Sequence, residues 1–168
     1  MSATSPSPWR QRREIALVLV RWLLGALFLY MGLNKAHHPE GFLKLIHQYD
    51  LVQNHILLNL VAVGLPWFEV FCGLLLIAGV AVRGSALMLV LMLIPFTIIV
   101  LRRALTDPAF RGLPFCAIKF DCGCGTGEVF ICRKLVENSF LILFSAALVC
   151  WRSSRLCLWY SVVKGRTE

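Results

Sequence analysis

The sequence predicts an all-α fold: a polytopic membrane protein, a bundle of four transmembrane helices with a cysteine-containing outer loop. Three observations lead there. Hydrophobic residues make up 58% of the 168-residue chain and charged residues only 15%, against roughly 45–50% and about 25% in soluble domains. Mean hydropathy is +0.74. The apolar residues gather into four stretches, each near the roughly 20 residues that a helix needs to cross a hydrocarbon core about 30 Å thick. A water-soluble enzyme is excluded by that composition. Disorder and a collagen-like repeat are excluded too, since the 12 glycines show no period of three.

Residues 1–14 read as a disordered, basic N-terminal tail, with Ser and Pro at its start and Arg10, Arg12 and Arg13 at its end. The membrane domain then occupies residues 15–151. Its first span runs from Ile15 to Leu33, the second from Leu57 to Val82, the third from Ser85 to Leu101 and the fourth from Leu135 to Trp151. The first span is not a signal peptide: it is too long for an h-region and ends in Gly32-Leu33-Asn34-Lys35 without a small-x-small cleavage site. The third and fourth spans are short, so Arg102, Arg103 and Arg152 are placed to snorkel to the interfaces. Residues 152–168 form a basic tail.

The net charge of +8 sits in short segments flanking the spans, where it sets orientation and meets anionic headgroups. No soluble basic domain exists to hold nucleic acid, so the bilayer is the partner this charge serves. With both termini inside, inner and outer segments carry equal numbers of Lys and Arg, but the inner segments are shorter and therefore denser in charge. That density, with the basic flank of the first span, places both termini in the cytoplasm of a bacterial inner membrane.

In the first outer connection Phe42, Leu45, Ile46 and Tyr49 recur at helical spacing and predict a short amphipathic helix at the membrane surface. The second outer connection, residues 102–134, holds Pro108, Pro114 and a Gly-rich run and is expected to be mostly irregular. It also holds Cys116, Cys122, Cys124 and Cys132, four of the seven cysteines. In an oxidising compartment such a cluster favours disulfides, and four thiols allow three full pairings. Two readings stay open: the cysteines pin a loop, or they exchange. Cys122-Gly-Cys124 is the sharpest feature, because a bridge across one residue closes a small strained ring and strained bridges are readily reduced. The nearby Lys119, Arg133 and Lys134 favour a thiolate. A metal site fits poorly, since zinc ligands usually pair as C-x(2–4)-C. Cys72, Cys150 and Cys157 read as inert apolar residues.

Inside the spans, Arg21 and Glu69 are the costly residues. They are expected to pair, directly or through water or a polar headgroup. The bland alternative is that Arg21 snorkels and Glu69 is protonated. Pro66 and Pro95 free backbone carbonyls within their spans, and a carboxylate beside such a break suits a quinone or a proton path as well as it suits packing. Glu137 and Asn138 open the fourth span, where Asn hydrogen-bonds across helices. His37, His38, Glu40 and His47 read as solvated interfacial residues rather than a metal site, and no span offers a haem ligand.

These residues together resemble the DoxX-like superfamily of four-helix membrane proteins, and most closely its MauE branch. The matching positions are Arg21, Gly25, Gly32 and Lys35, then Pro39, Phe42 and Tyr49, then Pro66, Glu69 and Gly73, and finally Cys122-Gly-Cys124-Gly with Asn138. The chain departs from the pattern where Gly125-Thr126-Gly127 follows Cys124 and where Glu137 precedes Asn138. The resemblance implies a redox-associated protein that supports maturation of a periplasmic, disulfide-rich methylamine dehydrogenase beside a thioredoxin-like partner. For DoxX relatives it implies a link to membrane quinone. The resulting expectation is a thiol–disulfide relay with Cys122 and Cys124 exchanging, Cys116 or Cys132 passing electrons on, and an intramembrane polar site of Arg21, Lys35, Glu69 and Asn138. The alternative is a non-catalytic anchor or subunit of a quinone-linked redox complex. Neither a metal nor any other cofactor is fixed by the residues.

Overall fold

The computed structural model describes residues 8–39, 55–106, 112, 114–121 and 128–151. Four helices dominate it: α1 (Pro8–His37), α2 (His55–Ala78), α3 (Val82–Thr106) and α4 (Ile131–Cys150). Ahead of α4 lie a 3-10 turn (Phe115–Ala117) and an antiparallel hairpin of β1 (Lys119–Asp121) and β2 (Glu128–Phe130). The predicted all-α character holds, with the hairpin as an addition.

Each helix buries one stripe. On α1 the buried positions are Glu14, Leu17, Val18, Arg21, Leu24, Gly25, Phe28, Gly32 and Lys35, a three-and-four spacing that keeps them on one face. The rest of that helix is apolar too, yet exposed: Leu19, Trp22, Leu23, Leu27 and Tyr30 point away from the bundle. The other helices repeat this, with Trp67 and Phe71 on α2, Leu91 and Ile98 on α3, and Phe140 and Leu143 on α4. Apolar exposure on this scale is foreign to a soluble monomer. Among the described residues, Trp9–His37 and Val82–Thr106 are long and apolar enough to cross a membrane, and Ala62–Ala78 is a shorter apolar stretch.

The helices pack as two hairpins. α1 lies closely against α2, and α3 against α4. Small residues allow the first contact. A Cβ on Gly73 would stand 2.8 Å from the Gly25 carbonyl oxygen, and one on Gly32 would stand 2.8 Å from the Pro66 carbonyl oxygen. Backbones can approach this closely only where side chains are absent. The turn joining α2 to α3 is a Schellman motif: Val80 N–H donates to Leu75 O (3.0 Å) and Gly79 N–H to Leu76 O (3.2 Å), with Gly79 at φ 71°. Just beyond it, Arg83 Nε donates to Val149 O at 2.8 Å, satisfying a terminal carbonyl of α4 and tying α4 to the start of α3 within the second hairpin. Between them lies a core of Leu17, Leu24, Phe28, Leu76, Leu89 and Leu148.

The opposite, loop end carries the β-hairpin. Ile118, Phe120 and Ile131 bury against Val100 and Ala104 of α3. The ladder pairs Phe120 with Val129, and Ile131 N–H donates to Ile118 O at 3.0 Å, so the hairpin runs directly into α4.

Three expectations are corrected here. Residues 8–14, assigned to a disordered tail, are the first turns of α1, anchored by the buried Glu14. Residues 102–106 continue α3 rather than opening a loop. The 102–134 connection is ordered at its base because Ile118 and Phe120 alternate with outward Lys119 and so bury one strand face. The amphipathic helix expected around Phe42–Tyr49 and the tail 152–168 lie outside the described residues, as do Glu40, His47 and Cys157.

The packing predicts opposite signs for two glycine substitutions. Gly73→Ala must separate α1 from α2 and is expected to lower the melting temperature in detergent, overpacking costing about 1–3 kcal/mol. Gly64→Ala meets nothing within 4 Å. It is expected to raise the melting temperature by about 2–4 °C, the helix-interior advantage of Ala over Gly being up to about 1 kcal/mol.

Candidate functional site

The glycine contacts set the register of α1 against α2, and the register creates the site. With Gly32 seated between Pro66 and Val70 of the antiparallel α2, Glu69 lies level with Gly32, and Lys35, one turn further along α1, reaches back to it. Lys35 Nζ donates to both carboxylate oxygens of Glu69, at 2.7 and 2.8 Å. Both side chains are about 95% buried, at 7% and 5% exposure. A bidentate, charge-assisted contact is what makes two desolvated charges tolerable together.

The second helical hairpin adds polar groups at the same end. Lys134 of α4 is buried and lies within electrostatic reach of Glu69. Its Nζ is 3.9 Å from Glu137 Oε2, and Glu137 Oε1 accepts from Arg133 Nε at 2.8 Å. One turn deeper on the same face of α4, the fully buried Asn138 donates through Nδ2 to Thr97 Oγ1 at 3.1 Å, and Thr97 donates to Leu93 O at 2.7 Å. Every helix thus contributes a polar side chain to the loop-end half of the bundle.

Above this cluster Cys116 and Cys132 form a disulfide with a Cα–Cα distance of 5.1 Å. It joins the 3-10 turn to the first turn of α4 and closes the base of the β-hairpin. Of the three pairings open to the four loop cysteines, this leaves Cys122 and Cys124 to each other or to a partner. Both lie in the connection 122–127, outside the described residues, between the paired strand ends Asp121 and Glu128. Cys72 is a buried free thiol and Cys150 an exposed one. No group of three or more metal-ligating side chains occurs among the described residues.

Of the four residues expected in one intramembrane polar site, Lys35, Glu69 and Asn138 gather at the loop end, and Arg21 does not join them. Glu69 pairs with Lys35 instead. Gly25 packs on Gly73 and Ile77, which puts Arg21 near the α2–α3 turn, about 12 Å along the axis from Glu69 at 1.5 Å per residue. Arg21 does not snorkel either: it is fully buried. Sequence reasoning missed Lys134 and Thr97 as members of the cluster. The available signal was helical spacing, since Lys134 stands four residues from Asn138 and shares its face.

Apolar outer faces around a buried ionic cluster define a helical membrane protein. The family profile described as "Methylamine utilisation protein MauE" matches residues 13–152. The chain belongs to the MauE family, and the match takes in all four helices, the hairpin and both cysteine pairs. No curated protein and no solved structure matches it.

The ion pair makes a stability prediction. Glu69→Gln strands a buried ammonium and is expected to cost about 3–5 kcal/mol. The double variant Lys35→Met/Glu69→Leu is expected to fold about as stably as the parent, because apolar replacement of a whole buried pair is often neutral or better. Combining Glu69→Gln with Arg21→Met should give no such recovery. Thermal melts of the purified proteins in one detergent compare the three.

Proposed function

We propose that this chain is a four-span inner-membrane protein, both termini cytoplasmic, that carries out thiol–disulfide exchange on the outer side in support of maturing a redox enzyme of the methylamine dehydrogenase type. The observation that carries the reading is the setting of Cys122-Gly-Cys124. The pair falls in a six-residue connection between paired strands, on a hairpin whose base is closed by a separate disulfide. The bond at the base uses Cys116 and Cys132, so it does not consume Cys122 and Cys124.

The exchange balances as follows. A thiolate of a thioredoxin-like partner attacks one sulfur of a Cys122–Cys124 disulfide, forming a mixed disulfide and releasing the other sulfur as thiolate. The partner's second thiol then displaces the first, so the partner is oxidised by two electrons and Cys122 and Cys124 are left as thiols. Running in reverse, the same steps reduce a partner disulfide. Resetting an oxidising relay requires a two-electron acceptor, for which we assign a membrane quinone. The donor set fits, since Lys35, Lys134 and Asn138 offer N–H groups at the loop end and quinone oxygens accept hydrogen bonds. When bound, a quinone would supply the capacity to take up two electrons and two protons.

A second reading is supported by the Cys116–Cys132 bond, which staples the hairpin base. There the protein is a non-catalytic anchor or subunit of a quinone-linked redox complex, its loop a docking platform.

Single Cys122→Ser and Cys124→Ser variants separate the two. Exchange predicts that one of them accumulates a covalent adduct with a periplasmic protein, lost on reduction and visible on non-reducing gels. The anchor reading predicts no adduct from either variant. A membrane-impermeant maleimide applied to intact cells is expected to label Cys122 and Cys124 only after mild reduction. Labelling confined to lysed cells would invert the topology and remove the exchange reading.

A further inference from the structure

The Cys116–Cys132 bond has two unlike ends. Cys116 lies on the 3-10 turn and is exposed, while Cys132 is partly buried at the second position of α4. The start of that 20-residue helix carries no side-chain cap: Phe130 provides no side-chain hydrogen bond, the first turn contains no acidic residue, and only a backbone carbonyl, Ile118 O, accepts from Ile131 N–H. The partial positive charge of the helix N-terminus therefore meets no first-turn carboxylate at Cys132, and Arg133 and Lys134 follow directly. Among the described side chains, the other charged groups on the elements packed around the bond are Lys119 on β1, Glu128 on β2, Arg102 and Arg103 at the end of α3, and Glu137, which pairs with Arg133 and Lys134.

We propose that this disulfide is a second redox-active pair with a fixed polarity, attacked at Cys116 and opened with Cys132 as the leaving sulfur. Two independent features select the same direction. Access selects Cys116, because an incoming thiolate must reach the sulfur in line with the bond it breaks. Leaving-group stability selects Cys132, because the sulfur that departs fastest is the one whose thiolate is most stabilised, and helix N-termini and neighbouring cations stabilise thiolates. The step balances: an attacking thiolate bonds to Sγ of Cys116, the S–S bond breaks, and its electron pair leaves on Cys132. A second thiol on the attacking molecule then releases Cys116, and that molecule ends oxidised by two electrons with Cys116 and Cys132 reduced. The substrate class is a dithiol able to close into a disulfide. The proposal deepens the exchange reading above by adding a second exchange centre, but its test does not involve Cys122 or Cys124.

The full-length Cys122→Ser/Cys124→Ser protein in detergent is treated with reduced glutathione at pH 7. It is quenched with acid, blocked with N-ethylmaleimide and mapped by peptide mass spectrometry. As a monothiol, glutathione stops at the mixed disulfide and marks the attacked sulfur. The expected result is glutathione on Cys116 in about tenfold excess over Cys132, with maleimide on Cys132. Equal partition, or a majority on Cys132, would overturn the polarity. No adduct on either residue would make the bond an inert staple and overturn its redox role. A separate readout covers a variant population that is partly unfolded: after full reduction, iodoacetamide should alkylate Cys132 with a midpoint pH below that of Cys116 in the folded protein and at the same pH in urea. Coincident midpoints in the folded protein would sink the assignment.

Discussion

A carboxylate and an ammonium removed from water constrain everything around them. Glu69 and Lys35 are on different helices and both are almost wholly buried, so the charges are tolerable only in contact. Contact demands that α1 and α2 run closely enough for a lysine to lay its Nζ between two carboxylate oxygens. That closeness demands glycine where the backbones meet, at 25, 32 and 73. The pairing of α1 with α2 then presents a combined face to α3 and α4. The polar groups of the second pair fall at the same end, as Lys134 completes the charged cluster and Asn138 ties α4 to α3 through Thr97.

Much of this architecture is legible from residue types alone. Apolar stretches set between arginines announce the helices, and buried positions recur at three and four along each of them. Glu69, Lys35 and Asn138 stand out because a polar side chain at such a position is expensive without a purpose. The partner of Glu69 was harder to read. Depth counted from the ends of a hydropathy segment is uncertain by a turn or more, and that error is enough to prefer Arg21 over Lys35. What decides between them is the contact of Gly32 with Pro66, a property of two helices together that neither segment states by itself. The hairpin was obscured for a different reason. The Gly-rich run 122–127 dominates its region, while the alternation of Ile118, Lys119, Phe120 and Asp121 is only four residues long. The disulfide pairing is a geometric fact of the hairpin, so it became readable only once β1 and β2 were placed.

The loop end and the turn end of the bundle are built on different principles. At the turn end the connection is three residues long and closed by backbone hydrogen bonds, with Arg83 lashing α4 to it. At the loop end the connection from α3 to α4 carries a covalent bond, a two-stranded ladder and its own small core. The covalent bond and the ladder stand at the same end of the bundle as the buried Lys35–Glu69 pair.

The buried stripe of α1 has a consequence for how the protein is made. Glu14, Arg21 and Lys35 fall on it at multiples of seven residues, with Phe28 completing the series. Of these, Arg21 lies inside the apolar part of the span, where a charged residue near the middle costs about 2.5–3.5 kcal/mol on insertion, while Glu14 and Lys35 stand toward the two ends of the helix. Lys35 finds the carboxylate of Glu69 on α2, some thirty residues later in the chain. Each of the two helices carries one half of a buried ion pair, so both are cheaper to place in lipid together than apart.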